Sequence, residues 1–410
     1  MKRTPLFAVL LTIFIDLVGI GILFPVVPQL LANPDSPQYL LSSAMTLEQG
    51  YLLLGILTAS YPIAQFLAAP ILGQLSDKFG RRPVLMISLT GTCIGYILFA
   101  IAIYTRNLPL LFASRVLDGI TGGNISVAQA AIADISTPES RSKNFGLMGA
   151  AFGLGFIIGP YIGGQLADTS NGIWFNAATP FWFAAFLSLI NILFIAFFLP
   201  ETNDQRKPGK LRWGKSFQDI INAVRMKDLR WLFIVAFFYT SGFAFFTSLF
   251  GVFLIDRFGF DEAAIGNVFA YIGIWIVITQ GFLTPLVAKR WKEHAVVRVG
   301  MIGTGVAVLL FLAPGPWMVM LAVVPVFAIF NGITQANFMG LISRSAPDTI
   351  QGEVLGINAS VQALAQALPP VASGYIASQF APSATLMIAS AIVVTAGIMF
   401  ILTVGQRKVI

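Results

Sequence analysis

Gly73-Gln74-Leu75-Ser76-Asp77-Lys78-Phe79-Gly80-Arg81-Arg82-Pro83-Val84-Leu85 is a short basic turn set between two long apolar runs. Those runs, near 51–72 and 84–104, are each long enough to cross a bilayer, which takes about 20 residues for about 30 Å of hydrocarbon. The turn therefore belongs on one face of a membrane. Its cations, Lys78, Arg81 and Arg82, assign that face to the cytoplasm.

The rest of the chain has the same character. Of 410 residues, 57% are hydrophobic and only 10% charged, whereas soluble domains carry about 25% charged residues. Mean hydropathy is +0.82. Twelve spans are expected, near 5–31, 50–72, 84–104, 108–133, 145–167, 179–199, 230–255, 264–287, 296–313, 317–342, 354–378 and 383–404. No alternating segments of about 10 residues suggest a β-barrel. Met1-Lys2-Arg3 and the apolar run after it imitate a signal peptide. However, the run is long, contains Asp16 and lacks a small-residue cleavage site, so it reads as a retained first span.

Charge orients the chain. With both termini inside, every Lys and Arg of the 25 falls on the cytoplasmic side except Arg106 and Arg257 outside and Arg115 within a span. The pI near 9.6 is then a positive-inside signature, and no nucleic-acid partner is expected. Cys93, the only cysteine, lies in an apolar span, and His294, the only histidine, in a basic loop. Neither a disulfide nor a His-based metal or catalytic site is expected. There is no G-x-x-x-x-G-K-[ST] loop for a nucleotide.

Residues 200–230 form the one long polar stretch, with eight cations, four carboxylates, Pro208 and Gly209. They divide the chain into an N-terminal six-span half (1–199), a linker (200–229) and a C-terminal six-span half (230–410). Within the linker, Phe217, Ile220, Ile221 and Val224 follow helical spacing, which suits a short helix on the inner membrane surface. The same composition suits a flexible linker.

The halves repeat one another. Gly119-Ile120-Thr121-x-x-Asn124 recurs as Gly332-Ile333-Thr334-x-x-Asn337. Pro138 and Gly146 match Pro347 and Gly356, while Pro160 and Gly163-Gly164 match Pro370 and Ser373-Gly374. Pro70 matches Pro285, after which the basic turn returns in decayed form as Lys289-Arg290-Trp291-Lys292. Two six-helix repeats with a site between them permit alternating access by rocking.

Three charged residues lie well inside the spans: Asp16, Arg115 and Asp118. A charge at mid-bilayer costs roughly 2.5–3.5 kcal/mol on the insertion scale, so each needs a reason. At 1.5 Å per residue, Asp16 lies about 16 Å deep, Arg115 about 10 Å and Asp118 about 15 Å. Arg115 and Asp118 are i,i+3 neighbours. Burial favours a neutral carboxyl group and a nearby guanidinium favours the carboxylate, the competition a proton relay uses. A structural ion pair between the first and fourth spans is the alternative.

Gly155-x-x-x-Gly159-Pro160-x-x-Gly163-Gly164 puts a smooth strip on one face of the fifth span, suited to tight packing, and Pro160 can kink it. In the basic turn, Gly73 suits close helix approach, Asp77 can accept hydrogen bonds or cap a helix, and Arg81 and Arg82 offer ionic partners. In the C-terminal half an aromatic and amide-rich set suits the wall of a site for an amphipathic organic molecule, cations included. It comprises Tyr239, Phe243, Phe246, Tyr271, Trp275, Gln280, Asn331, Gln335, Asn337, Asn358 and Gln362.

The spacing G-x-x-x-D-x-x-G-R-R at Gly73–Arg82 resembles the loop between the second and third helices of major facilitator superfamily transporters. That resemblance implies an all-α fold of twelve transmembrane helices in two six-helix pseudo-repeats. It also implies a cytoplasmic latch in which Gly73, Asp77, Gly80, Arg81 and Arg82 steady the outward-facing state. The 155–164 stretch resembles the antiporter signature of the drug/proton antiporter branch. Arg115-x-x-x-Gly119 resembles that branch's fourth-helix motif, whose arginine is implicated in proton transfer; at Asp118 many members are uncharged. Asp16–Gly21 with Pro25-Val26-Val27-Pro28, and the stretches 73–85, 115–134 and 145–164, resemble tetracycline/proton antiporters. Two places depart from them: their third-span acidic residue falls on Gly95, and their eighth-span histidine falls near Ile276, although Gln280 follows.

The function expected is proton-coupled efflux of a hydrophobic or amphipathic small molecule, driven by the proton gradient without cofactor or metal. The protein is expected as a monomer in the cell (inner) membrane. Proton-coupled import of a nutrient or metabolite is the rival, and a non-transporting receptor or a membrane enzyme the reading from another class. For an enzyme, no buried nucleophile–base or metal-ligand set is visible.

Overall fold

The computed structural model describes residues 3–203, 211–227, 229–313, 315–345 and 351–404. Pro208, Gly209 and Pro347, singled out above, lie outside them. The first half holds α1 (Arg3–Ala32), α2 (Leu47–Phe79), α3 (Arg81–Tyr104), α4 (Leu108–Thr121), α5 (Asn124–Ile135), α6 (Pro138–Ala167) and α7 (Thr179–Phe198). Then follow α8 (Lys215–Arg225), α9 (Arg230–Phe258), α10 (Glu262–Ile278), α11 (Thr284–Arg290), α12 (Glu293–Leu310), α13 (Trp317–Arg344), α14 (Gln351–Ala367), α15 (Pro369–Gln379) and α16 (Pro382–Thr403). No strand occurs among the described residues.

Ten helices among the described residues are long and apolar enough to span a bilayer. The other two expected spans, 108–133 and 354–378, are each in two pieces. The first breaks at Gly122-Gly123, and the carbonyl freed at Gly122 accepts a 2.6 Å hydrogen bond from Gln65 Nε2, so the break leaves no orphan there. The second breaks at Leu368, before Pro369, which has no N–H to give the preceding turn. The eighth expected span stays continuous but widens into one π turn at Thr279–Leu283. Helix ends follow local chemistry: Asn107 Oδ1 accepts from Leu110 N at 3.0 Å to start α4, and Thr137 and Ser140 form a reciprocal box at the start of α6.

The chain forms two compact units. One comprises Met1–Ala44, Ser60–Lys215 and Phe260–Ala270; the other Met45–Ala59, Ser216–Gly259 and Tyr271–Ile410. In the first, Val9 and Ile13 of α1 meet Leu85 and Leu89 of α3, Val127 and Ala131 of α5, and Ile195 of α7. In the second, Phe233 and Ala236 of α9 pack with Met301, Leu341, Ile357 and Phe400. Outward-facing Ile87, Phe197, Phe282 and Leu402 are all more than half exposed, as suits residues that meet acyl chains as apolar as themselves.

The repeat read in the sequence has a geometric counterpart. In the first unit, a Cβ on Gly266 would lie 2.5 Å from the Pro160 carbonyl oxygen and 3.2 Å from Gly164 Cα. In the second, a Cβ on Gly55 would collide with the Pro370 carbonyl oxygen and lie 2.9 Å from Gly374 Cα. The matched pairs Pro160/Pro370 and Gly164/Gly374 thus make the same close helix contact twice.

Candidate functional site

The three charges of the N-terminal half meet in one place. Arg115 Nη1 donates to Asp118 Oδ2 at 2.7 Å, and the two side chains are 7% and 4% exposed. The guanidinium carbon lies 4.7 Å from the centre of the Tyr61 ring, over its face. Asp16, on α1, and Asp118 line the same small cavity with Ile20, Tyr61, Thr92, Tyr96, Gly122 and Asn124. Its volume, about 10 Å³ counted at water centres, is about what one water needs. Asn124 lies within hydrogen-bonding reach of Asp16, but Asp16 Oδ2 is buried and has no partner among the described residues. The ion pair therefore joins residues of the fourth span to one another, leaving the first-span carboxylate outside it.

The charge of the cluster follows directly. Two carboxylates and one guanidinium sum to −1 when all are ionised, and one added proton makes the site neutral. An uncompensated charge in a dry site is expensive, and a neutral group with a hydrogen bond is much less so.

Glycines bring the cluster together. A Cβ on Gly95 would lie 3.1 Å from Asp118 Cβ, so the small residue admits Asp118 beside α3. The carboxylate of this region is carried by α4 and packs against Gly95 of α3. A Cβ on Gly19 would collide with the Tyr96 hydroxyl; the bare helix there makes room for the tyrosine. The 155–164 stretch packs on α1: Cβ atoms on Gly155, Gly159 and Gly163 would lie 2.6 Å from Leu17 Cβ, 2.6 Å from Val18 O and 2.8 Å from Ile22 Cα. Gly164 instead faces the carbonyl of Glu262, and Gly21 faces Pro160.

The basic turn is a hydrogen-bonded knot. Arg81, 8% exposed, donates from Nη1 to Asp77 at 2.6 Å and to Ser76 Oγ at 2.6 Å, and from Nε to Asp134 at 2.9 Å. Its backbone N–H donates to Glu201 Oε1 at 2.8 Å, and Glu201 Oε1 also accepts from the N–H groups of Thr202 and Asn203. Asp77 is therefore a partner of Arg81 rather than a helix cap; the start of α3 is capped from afar by Glu201, an anion at a helix N-terminus. Gly80 has φ +109°, and a Cβ there would strike Glu201. Arg82 donates to the Ala196 carbonyl. The expectation for Gly73 is corrected: among the described residues a Cβ there would meet nothing within 4 Å, and the close approach in this turn is at Gly80. Glu201→Ala is expected to lower stability by about 1 kcal/mol, the usual worth of a cap, read as a lowered thermal midpoint in detergent.

The C-terminal set is sorted by its surroundings. Tyr239 OH donates to Asn331 Oδ1 at 2.7 Å inside the core. Asn337 Nδ2 donates to Ile333 O on its own helix at 2.8 Å. Phe246 is corrected outright: it is 2% exposed, among Phe250, Phe311 and Phe327 with ring centres 4.5, 5.6 and 4.8 Å away, so it belongs to the core rather than a wall. Phe243, Tyr271, Trp275, Gln280 and Gln362 are half-buried, and Gln335 is exposed. Tyr271 and Trp275 meet edge to face at 6.4 Å, and Gln280 sits in the π turn, a feature frequent at functional sites. Asn358 is buried, and its Oδ1 has no partner among the described residues.

Residues 9–370 match the sequence profile described as Major Facilitator Superfamily, and residues 288–409 match it again. The chain belongs to the Major Facilitator Superfamily. It is accordingly a multi-pass membrane transporter and not an enzyme. Superfamily relatives include the tetracycline resistance protein, class C, of Escherichia coli, 34% identical over 90% of this chain and 89% of that protein. The class D protein of Salmonella ordonez is 32% identical, over 94% and 92%. Among solved superfamily structures, the human organic anion transporter MFSD10 superposes with a TM-score of 0.73 at 25% identity, covering 97% of this chain and 99% of that one. A D-xylose-proton symporter gives 0.72 at 16% identity, a likeness of fold alone.

Tyr61, Thr92, Tyr96 and Gln65, with Asp134 and Glu201 at the basic turn, were not singled out from the sequence. Only Asn124 carried a signal, as the last residue of the repeated Gly-Ile-Thr-x-x-Asn motif.

Proposed function

We propose that this chain exchanges protons for a hydrophobic or amphipathic organic molecule by alternating access, and exports that molecule from the cell. The observation that carries the proposal is the enclosed cluster of Asp16, Arg115 and Asp118, whose charge is neutralised by one proton. A proton taken up outside by Asp16 or Asp118 releases substrate there; loss of the proton inside restores the binding form. The proton gradient drives the cycle, with roughly 2.3 kcal/mol per charge per 100 mV from the potential and more from the pH difference. The knot at Asp77, Arg81 and Asp134 serves as the cytoplasmic latch. The half-buried Phe243, Tyr271, Trp275, Gln280 and Gln362 offer rings and amides to the cargo. The similarity to tetracycline resistance proteins supports efflux of a drug-like compound, while Gly95 and Ile276 argue for a cargo other than metal-chelated tetracycline.

Proteoliposomes test the direction of coupling. With an acidic lumen, a panel of amphipathic compounds including tetracycline is expected to yield at least one that accumulates inside as protons leave. Accumulation only when the bath is the acidic side would establish symport and overturn the proposal.

A further inference from the structure

The short helix α8 carries an exposed apolar stripe about a quarter turn from its buried residues. Ser216 and Ala223 are buried, and Ile220 packs against the core beneath α9. At about 100° per residue, Phe217, Ile221 and Val224 lie together about a quarter turn around from that face. They are 56%, 49% and 57% exposed. Beyond them in the same sense come Arg225, Gln218 and Asn222. One sector thus meets protein, the next is greasy and the third is polar, the arrangement of a helix at a membrane boundary. The linkage to α9 keeps α8 close to the start of a span. Four residues separate Arg225 from Arg230, where that apolar span begins, so the end of α8 stays within about 17 Å of it.

The charge around the stripe has a sign. Lys215, Arg225, Lys227 and Arg230 are all exposed, against two carboxylates between 215 and 230. One of these, Asp219, accepts a 3.0 Å hydrogen bond from Ser360 Oγ on α14.

We infer that α8 is a docking site for the anionic surface of the bilayer. Phe217, Ile221 and Val224 enter the acyl boundary, and Lys215, Arg225 and Lys227 hold phosphate headgroups. The bond between Asp219 and Ser360 ties the docked helix to α14, so lipid charge steadies α14 as well.

The test uses the full chain in nanodiscs of phosphatidylcholine alone or of equal parts phosphatidylcholine and phosphatidylglycerol. Amide exchange across 215–225 is expected to slow about fivefold or more in the anionic discs, each cation near such a surface contributing about that factor. The triple variant Lys215→Gln, Arg225→Gln, Lys227→Gln should lose the difference between lipids, and Ile221→Ser should weaken protection in both. Unchanged exchange within α13 checks that the variants remain folded, and Ile221→Ser decides the matter if the triple variant does not. Equal exchange of the native chain in the two lipids overturns the proposal. So does protection reproduced by inorganic phosphate in phosphatidylcholine discs, or protection that appears only with two copies per disc.

Discussion

Asp16→Asn is expected to reduce gradient-driven accumulation to the level of protein-free vesicles while leaving the fold intact. Asparagine has the shape of aspartate but neither charge nor titratable proton, so the cluster of Arg115, Asp118 and residue 16 no longer changes charge at that position. The change should not destabilise the protein. Among the described residues Asp16 Oδ2 has no partner in its buried position, and removing a charge that lies outside the ion pair relieves a desolvation penalty. Exchange of substrate across the membrane with no pH gradient should persist, since it needs no net proton movement. Asp118→Asn differs in kind. It strips the 2.7 Å partner from a guanidinium 7% exposed, and breaking a buried pair from one side costs about 3–5 kcal/mol. A lowered thermal midpoint for Asp118→Asn but not for Asp16→Asn would separate the carboxylate outside the ion pair from the one within it. Normal pH-driven transport by Asp16→Asn would exclude that residue as the proton carrier.

Gly159→Leu is expected to abolish transport by parting two helices. A Cβ at 159 would lie 2.6 Å from Val18 O and 3.0 Å from both Val18 Cα and Gly21 Cα. All three are backbone atoms, which cannot swing aside as the tip of a flexible side chain can. The strain of one oversized residue in a packed core is about 1–3 kcal/mol, and leucine adds three more carbons. Two residues before Val18 stands Asp16, so the displacement reaches the cavity directly. Gly149→Ala in the same α6 is the control. None of the described residues lies within 4 Å of a Cβ there, and alanine should stabilise the helix by up to about 1 kcal/mol. Thermal midpoints and transport measured side by side distinguish helix contact from glycine content.

What was legible in the sequence depended on contrast. Asp16, Arg115 and Asp118 stood out because ionised groups are rare in apolar runs. The glycine strip at 155–163 stood out because its spacing places small residues on one helix face. The cavity itself did not, since Tyr61, Thr92 and Tyr96 are ordinary residues for a span and only packing turns them toward Asp16. Glu201 was invisible for another reason: it caps a helix that begins 120 residues earlier, and no local pattern encodes so distant a partner. Phe246 shows the converse failure. An aromatic residue in a span reads the same whether it lines a cavity or fills a core. The Gly122-Gly123 pair was in plain view, yet only the Gln65 bond to Gly122 explains how the fourth span tolerates a break.

In the proposed cycle protons and cargo move in opposite directions through the charge change at Asp16, Arg115 and Asp118. Proteoliposomes with an acidic lumen containing a pH-sensitive dye record both fluxes at once and so test it. Cargo addition is expected to raise lumenal pH in step with cargo entry for the native chain, and to leave lumenal pH unmoved for Asp16→Asn. Cargo entry with no pH change in the native chain, or the native pH change in both Asp16→Asn and Asp118→Asn, would contradict it.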